Sequence, residues 1–173
     1  MVVATGAVPN NLNIHVPVGG PSVVQANDVI AGRVAVGQRV VVVGGRYVGM
    51  EVADLLAEEG KHVSLIEAVE LGWGTILGLK AVLRNRLVEK GVYIYPHSPL
   101  MRITKTGVDV ANNGAILHLK ADTVVLAIGT RPVNHLLEEI KNLVPEAYAI
   151  GDCTEIGDAM EAINQGAEIG RLI

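Results

Sequence analysis

Residues 40–67 read VVVVGGRYVGMEVADLLAEEGKHVSLIE, and the fold turns on how this stretch is parsed. Arg39 to Val43 is an apolar, β-branched run, the pattern of a strand buried on both faces. Gly44 and Gly45 break it. From Tyr47 the period becomes helical, with Val48, Val52, Leu55 and Leu56 on one stripe, and Gly60 suits a helix C-cap. His62 to Glu67 reads as a second strand. Strand, glycine turn, helix and strand make one βαβ unit, and the first glycine turn of such a unit is a dinucleotide cradle. There the first glycine makes the tight turn, the second lets the backbone approach a diphosphate, and the third lets helix and strand pack closely. The diphosphate sits on the N–H groups that open the helix. Gly44 takes the first place and Gly49 the third. Arg46 stands in the second, where its side chain can point away, bond the phosphates or block them. Glu67 closes the second strand roughly twenty residues after the turn, where an acid accepts the adenosine ribose hydroxyls and repels a 2′-phosphate. That position favours NAD over NADP.

Working outward, Ile76, Leu79, Leu83 and Leu87 stripe a second helix stopped by Gly91, and Val92 to Tyr95 gives a third short strand. Residues 100–129 then change texture. Three short strands separated by TKTG and NNG predict a β-meander, with Asn113-Gly114 as a type I′ hairpin turn. Thr123 to Ile128 is again a buried strand. Asn134 to Leu143 is a polar amphipathic piece, Ala147 to Ile150 a strand, and a final helix begins near Asp158. On the N-terminal side, Met1 to Thr5 is a short strand, Gly6 to Pro21 a connector of little periodicity, and SVVQANDVIAG a helical or turn segment ending at Gly32. ATGAVP and AIGTRP echo each other. The expected fold is α/β: a Rossmann-like parallel sheet with a three-stranded antiparallel meander and flanking strands. The expected division is 1–36, 37–131 and 132–173.

The chain has 173 residues, half of them hydrophobic, and a net charge of −4. That charge gives no electrostatic footprint for nucleic acid or a membrane surface. No apolar run approaches the roughly 18 residues of a membrane span. One cysteine, Cys153, excludes an intrachain disulfide. These features suit a cytoplasmic protein. His15, His62, His97, His118 and His135 show no metal-ligand spacing. Trp73, between glycines in LGWGT, reads as a packing residue. A short-chain dehydrogenase needs a Tyr-x-x-x-Lys pair. The tyrosines at 47, 93, 95 and 148 are followed four residues on by Glu51, His97, Pro99 and Asp152. A methyltransferase tolerates the loop and Glu67 but leaves ATGAVP and AIGDC unexplained. A non-catalytic assembly module with a degenerate site at Arg46 stays open.

VGQRVVVVGGRYVGMEVADLLAEEGKHVSLIE (36–67), VVATGAVP (2–9) and AYAIGDCTEIGDAMEAINQGAEIGRLI (147–173) together resemble flavoprotein reductases with two dinucleotide-binding domains. The C-terminal region of old-yellow-enzyme-like reductases is the nearest branch: 2,4-dienoyl-CoA reductase, 2-enoate reductase, NADH oxidase and trimethylamine dehydrogenase. The resemblance implies an NADH-binding domain that presents nicotinamide to FAD for hydride transfer. It implies that Gly44, Gly45, Tyr47, Val48 and Gly49 form the turn over the NADH diphosphate, with Tyr47 where some relatives carry a gating tyrosine. Glu51 matches an acid near the nicotinamide end, and Glu67 holds the ribose. Ile128 and Gly129 line the cofactor. Thr5 and Gly6 match an ATG packed near FAD, Gly151 and Asp152 a GD that bonds FAD, and Met160, Glu161 and Ala162 open a helix pointing at the flavin. Residues 1–36 and 132–173 then correspond to pieces of an FAD domain. Its first half is absent from this sequence, as is a barrel carrying FMN and an iron–sulfur cluster. The expectation is a fragment of a larger reductase, lacking full activity alone. Its open sheet edges would favour self-association.

Overall fold

The computed structural model describes residues 1–173 and divides them into two compact units, one of residues 1–10 with 129–173, the other of residues 11–128. Residues 11–36, grouped with the first segment in the expected division, here cluster with residues 37–128.

The larger unit is built on five parallel strands in the order β3-β10-β4-β5-β6: β3 (Ser22–Gln25), β4 (Arg39–Val43), β5 (His62–Ile66), β6 (Tyr93–Tyr95) and β10 (Thr123–Leu126). Alternation within β4 decides what covers each face. Val40 and Val42 pack with Met50, Val52, Ala53 and Leu56 of helix α2 (Tyr47–Glu58) and with Leu83 and Leu87 of α3 (Leu77–Glu89). Val41 and Val43 point the other way, into Ile103, Val108, Val110 and Leu119 of a three-stranded antiparallel sheet. That sheet is the meander β7 (Leu100–Thr104), β8 (Gly107–Asn112) and β9 (Ala115–Lys120). Helices, parallel sheet and meander thus form three layers, and the period of two in a β-branched strand is what serves both cores. Asn113 and Gly114 both have positive φ, 48° and 79°, as a type I′ turn requires.

Polar groups tie the layers' ends. Asp54, buried on α2, is gripped by Arg86 and lies 2.9 Å from Lys90 Nζ, which straps α2 to α3. Asp109, buried on β8, accepts from Arg102 at 2.7 Å and bonds His118 Nδ1 at 2.7 Å across the hairpin. Those partners hold its carboxyl below the usual range, His118 most strongly. Such straps fix register where apolar contact alone is permissive.

Four local expectations change. Ser22–Gln25 is a strand, not a helix or turn; its Val23 and Val24 pair with Val124 and Val125 at the edge of the sheet, and only Ala26–Ile30 is helical (α1). The connector contains a strand, β2 (Ala7–Pro9). Val48 and Leu79 lie on their helices yet are exposed, and Ile76, expected on the second helical stripe, is the extended N-cap before α3 and is exposed too. Trp73 is 65% exposed rather than packed.

The smaller unit holds two strand pairs. β1 (Val2–Val3) runs parallel to β12 (Tyr148–Ala149), and β2 runs antiparallel to β11 (Thr130–Pro132). The second pair joins the two echoing sequence segments, with Val8 opposite Arg131 at its centre. Helix α4 (His135–Ile140) and helix α5 (Ala159–Leu172) complete it. Cys153 is fully buried, its Sγ directed at the carbonyls of Ile150 and Val3.

Candidate functional site

The order of the parallel strands reverses at β4. From it the chain steps one way through β5 and β6, while β10 and β3 lie on its other side. Ligands of open parallel sheets bind at the carboxyl ends of the strands flanking such a reversal. Here those ends carry Gly44, Glu67, and Ala127 with Ile128.

Gly44 has φ 105°, and a Cβ on it would sit 2.3 Å from the Ala127 carbonyl oxygen. No other residue fits between β4 and β10. A Cβ on Gly49 would fall 1.8 Å from the Gly44 carbonyl oxygen, so helix α2 can lie this close to the turn only with glycine there. Both are the demands of a dinucleotide turn. Gly45 is buried. Its N–H donates to Glu67 Oε2 at 2.6 Å, and its carbonyl accepts from Gly72 N–H at 2.8 Å.

Arg46 is the N-cap of α2. Its backbone is extended, φ −83° and ψ −167°, a conformation any residue adopts, so replacing a glycine here carries no strain. The side chain leaves the turn: Nη2 lies 3.7 Å from where a Gly74 Cβ would be. No side chain caps α2, and no acid stands in its first turn. The opening N–H groups of a twelve-residue helix, with their dipole, therefore face outward without a resident anion. Glu67 closes β5 as expected. Oε1 accepts the Val69 N–H at 3.0 Å, so the carboxylate bridges the turn and the loop that follows. Glu51 is exposed one turn into α2.

The loop 68–76 is what sequence reasoning left out. It folds over the glycine turn through the Gly72–Gly45 bond. It is also held by Tyr47, whose hydroxyl accepts the Ile76 N–H at 2.6 Å where α3 begins. Tyr47 thus anchors the neighbouring helix. Tyr47 and LGWGT were the available signals: a tyrosine following the turn and a loop of glycines able to lie flat on it.

The remaining expected residues lie in the smaller unit, except Ile128. Gly129 has φ 80° and its carbonyl accepts Asn10 N–H. Thr5 donates to the Val133 carbonyl, and Gly6 accepts the Val133 N–H at 3.0 Å. Gly151–Cys153 form a 3-10 turn in which Gly151 N–H donates to Gln165 Oε1 at 2.5 Å and Asp152 Oδ1 accepts the Gly157 N–H at 3.2 Å. At the start of α5, Asp158 Oδ1 accepts the N–H groups of Met160 and Glu161, and Glu161 returns a bond to the Asp158 N–H. Ala162 N–H goes to the Asp158 carbonyl at 3.2 Å. This capping box uses the first donors of the helix internally.

These features coincide with a known family. The sequence profile described as pyridine nucleotide-disulphide oxidoreductase matches residues 1–166. The chain belongs to that family. Its members are oxidoreductases that bind FAD and NAD(P)H. A metal reductase of Desulforamulus reducens is 31% identical over 95% of this chain and 29% of its own length. An NADH oxidase of Thermoanaerobacter brockii is 29% identical over 98% of this chain and 27% of its own. The solved 2-naphthoyl-CoA reductase complex superposes with a TM-score of 0.90 at 27% identity, over 99% of this chain and 26% of that one. The chain therefore spans less than a third of each of these relatives. As in the family, an α/β architecture carries the site. No helix is long and apolar enough to cross a membrane.

Proposed function

We propose that this chain is the nicotinamide-dinucleotide-binding module of a larger flavin-dependent reductase, delivering reducing equivalents from NADH to FAD. The observation that carries this reading is the turn itself: Gly44 and Gly49 leave no room for a Cβ, and the helix they open has neither side-chain cap nor acid. That is the arrangement of a helix-opening anion cradle, which suits a diphosphate. Bound there, the nicotinamide supplies the hydride that FAD accepts.

The chain's own residues bind and orient. The backbone N–H groups that open α2, from Arg46 onward, would receive the diphosphate, while those of Gly44 and Gly45 are bonded to Ile66 and Glu67 and fix the turn. Glu67 stands at the ribose end of the turn, and Ile128 provides an apolar wall at the exit of β10. Hydride transfer between two bound cofactors needs no side-chain acid or base from this chain, only orientation and electrostatics. Thr5, Gly6, Gly151 and Asp152 belong to the flavin side. Met160 and Ala162 belong there too, at the start of a helix whose Met160 N–H is bonded to Asp158. The rest of the flavin domain, and a barrel bearing FMN and iron–sulfur, come from the parent protein. The open edges of the β1–β12 pair are where further strands would add, from that parent or from a second copy.

The test is calorimetric titration of this chain with NADH. Saturable binding with one site per chain supports the reading. A folded chain that takes up no NADH refutes it and favours an assembly module with a lost nucleotide site.

A further inference from the structure

A turn that grips a dinucleotide by its diphosphate must still sort two cofactors that differ only at the adenosine 2′ position. The usual device is a carboxylate at the end of the second strand, which accepts the ribose hydroxyl and repels a 2′-phosphate; an arginine nearby does the opposite. This chain carries both.

Glu67 occupies the carboxylate's place, yet both its oxygens are engaged. Oε2 accepts Gly45 N–H at 2.6 Å and Oε1 accepts Val69 N–H at 3.0 Å. Two backbone donors within bonding distance draw the carboxylate into the protein and offset its charge. The other acid of the loop, Glu70, is paired with Lys80 at 2.7 Å, which holds its carboxyl below the usual range. Glu67 is thus held by the turn and its following loop, and the charge of Glu70 is paired with Lys80.

Arg46 is the complement. Its guanidinium takes part in none of the chain's salt bridges. It reaches Gly74, on the loop that leaves Glu67, and not the body of α2. Gly72 bonded to Gly45, and Ile76 bonded to Tyr47, hold that loop against the turn, so the exposed cation lies beside a loop of fixed course.

We propose that Arg46 is a specificity residue: its guanidinium receives the adenosine 2′-phosphate, so the site takes NADPH as well as NADH instead of rejecting it at Glu67. The inference rests on the dinucleotide reading of the turn. Its chemistry is the planar fork of a guanidinium on a phosphate dianion, which a lysine supplies only as a point charge.

The experiment titrates NADPH, NADH and adenosine 2′,5′-bisphosphate into the native chain, Arg46→Gln and Arg46→Lys. The native chain is expected to bind NADPH at least as tightly as NADH. Arg46→Gln should weaken NADPH and the bisphosphate about tenfold and change NADH by no more than about twofold. Arg46→Lys should restore part of the loss, and added salt should weaken NADPH more than NADH. Because Arg46 is exposed with ordinary backbone angles, both variants keep the fold, which a thermal melt verifies. NADH binding with NADPH excluded overturns the inference and leaves the proposed function standing. Equal losses for both cofactors in Arg46→Gln also overturn it, and place Arg46 on the diphosphate. Binding of neither cofactor overturns both.

Discussion

Two helices in this chain begin in opposite ways. Helix α2 opens after a glycine turn with no side-chain cap and no acid in its first turn. Helix α5 opens on a complete capping box, with Asp158 and Glu161 satisfying each other's backbone. The same four orphan donors confront both helices. In α5 the chain resolves them itself and gains a stable end. In α2 it leaves them open, at a turn where two glycines hold the backbone closer than any other residue allows. A bare start is not peculiar to α2, since α3 also opens with no side-chain cap and no first-turn acid; what sets α2 apart is the turn before it, where Gly44 and Gly49 leave no room for a Cβ.

The contrast can be broken most severely at Gly49. Valine there would push a Cβ into the Gly44 carbonyl, 1.8 Å away, and the turn must open. Gly49→Val should cost about 3 kcal/mol in urea unfolding and abolish NADH binding. Retained affinity would mean that the turn does not hold the cofactor. A subtler change makes α2 resemble α5. Val48 is 42% exposed, and Val48→Glu places a carboxylate in the first turn of the helix. Stability should rise by about 0.3–1 kcal/mol as the dipole is met, while NADH affinity falls about tenfold because the diphosphate now faces a like charge. Opposite signs in the melt and the titration are the expected signature. The reciprocal experiment is Asp158→Ala, which strips the cap from α5. It should cost the smaller unit about 1 kcal/mol and speed amide exchange at Met160 and Glu161, with NADH affinity unchanged. The smallest effect concerns acid. Arg39 holds Asp122 down to about 2, first through the side-chain hydrogen bond and then through the backbone N–H. A depressed carboxyl contributes stability that is present above its ordinary value of 3.8 and is lost as pH falls through about 2. Asp122→Asn should therefore flatten the acid limb of the larger unit's urea midpoint over that window and leave the smaller unit's limb as it was.

The β4–turn–α2–β5 unit was legible because its signals are local: a β-branched run, two glycines, then a change of period. The meander was legible for the same reason, through TKTG and Asn113-Gly114. The strand Ser22–Gln25 was not, because four residues followed at once by a helix carry little period. Their partner, Thr123–Leu126, lies about a hundred residues away, so the pairing is written in tertiary structure. Ala7–Pro9 was hidden for the same reason, although its echo in AIGTRP was visible and is the segment it pairs with. Val48 and Leu79 lie on helical stripes, but periodicity gives the face of a helix without saying how far the groove extends around it, and it does not place the helix start, which left Ile76 outside α3. At the site, Gly44, Gly49 and Glu67 were readable from position. The inward commitment of Glu67, the outward course of Arg46 and the anchoring of Ile76 by Tyr47 depend on a loop whose fold no local signal specifies.

The pairing of β2 with β11 has a further consequence. Asn10 N–H donates to the Gly129 carbonyl at 3.0 Å, so the chain departs for the larger unit and comes back from it through one doorway. Residues 11–128 are in effect a cassette with both leads side by side. A piece wired this way can be exchanged, duplicated or replaced at a single graft point, and its host needs to supply only a two-stranded ribbon to receive it.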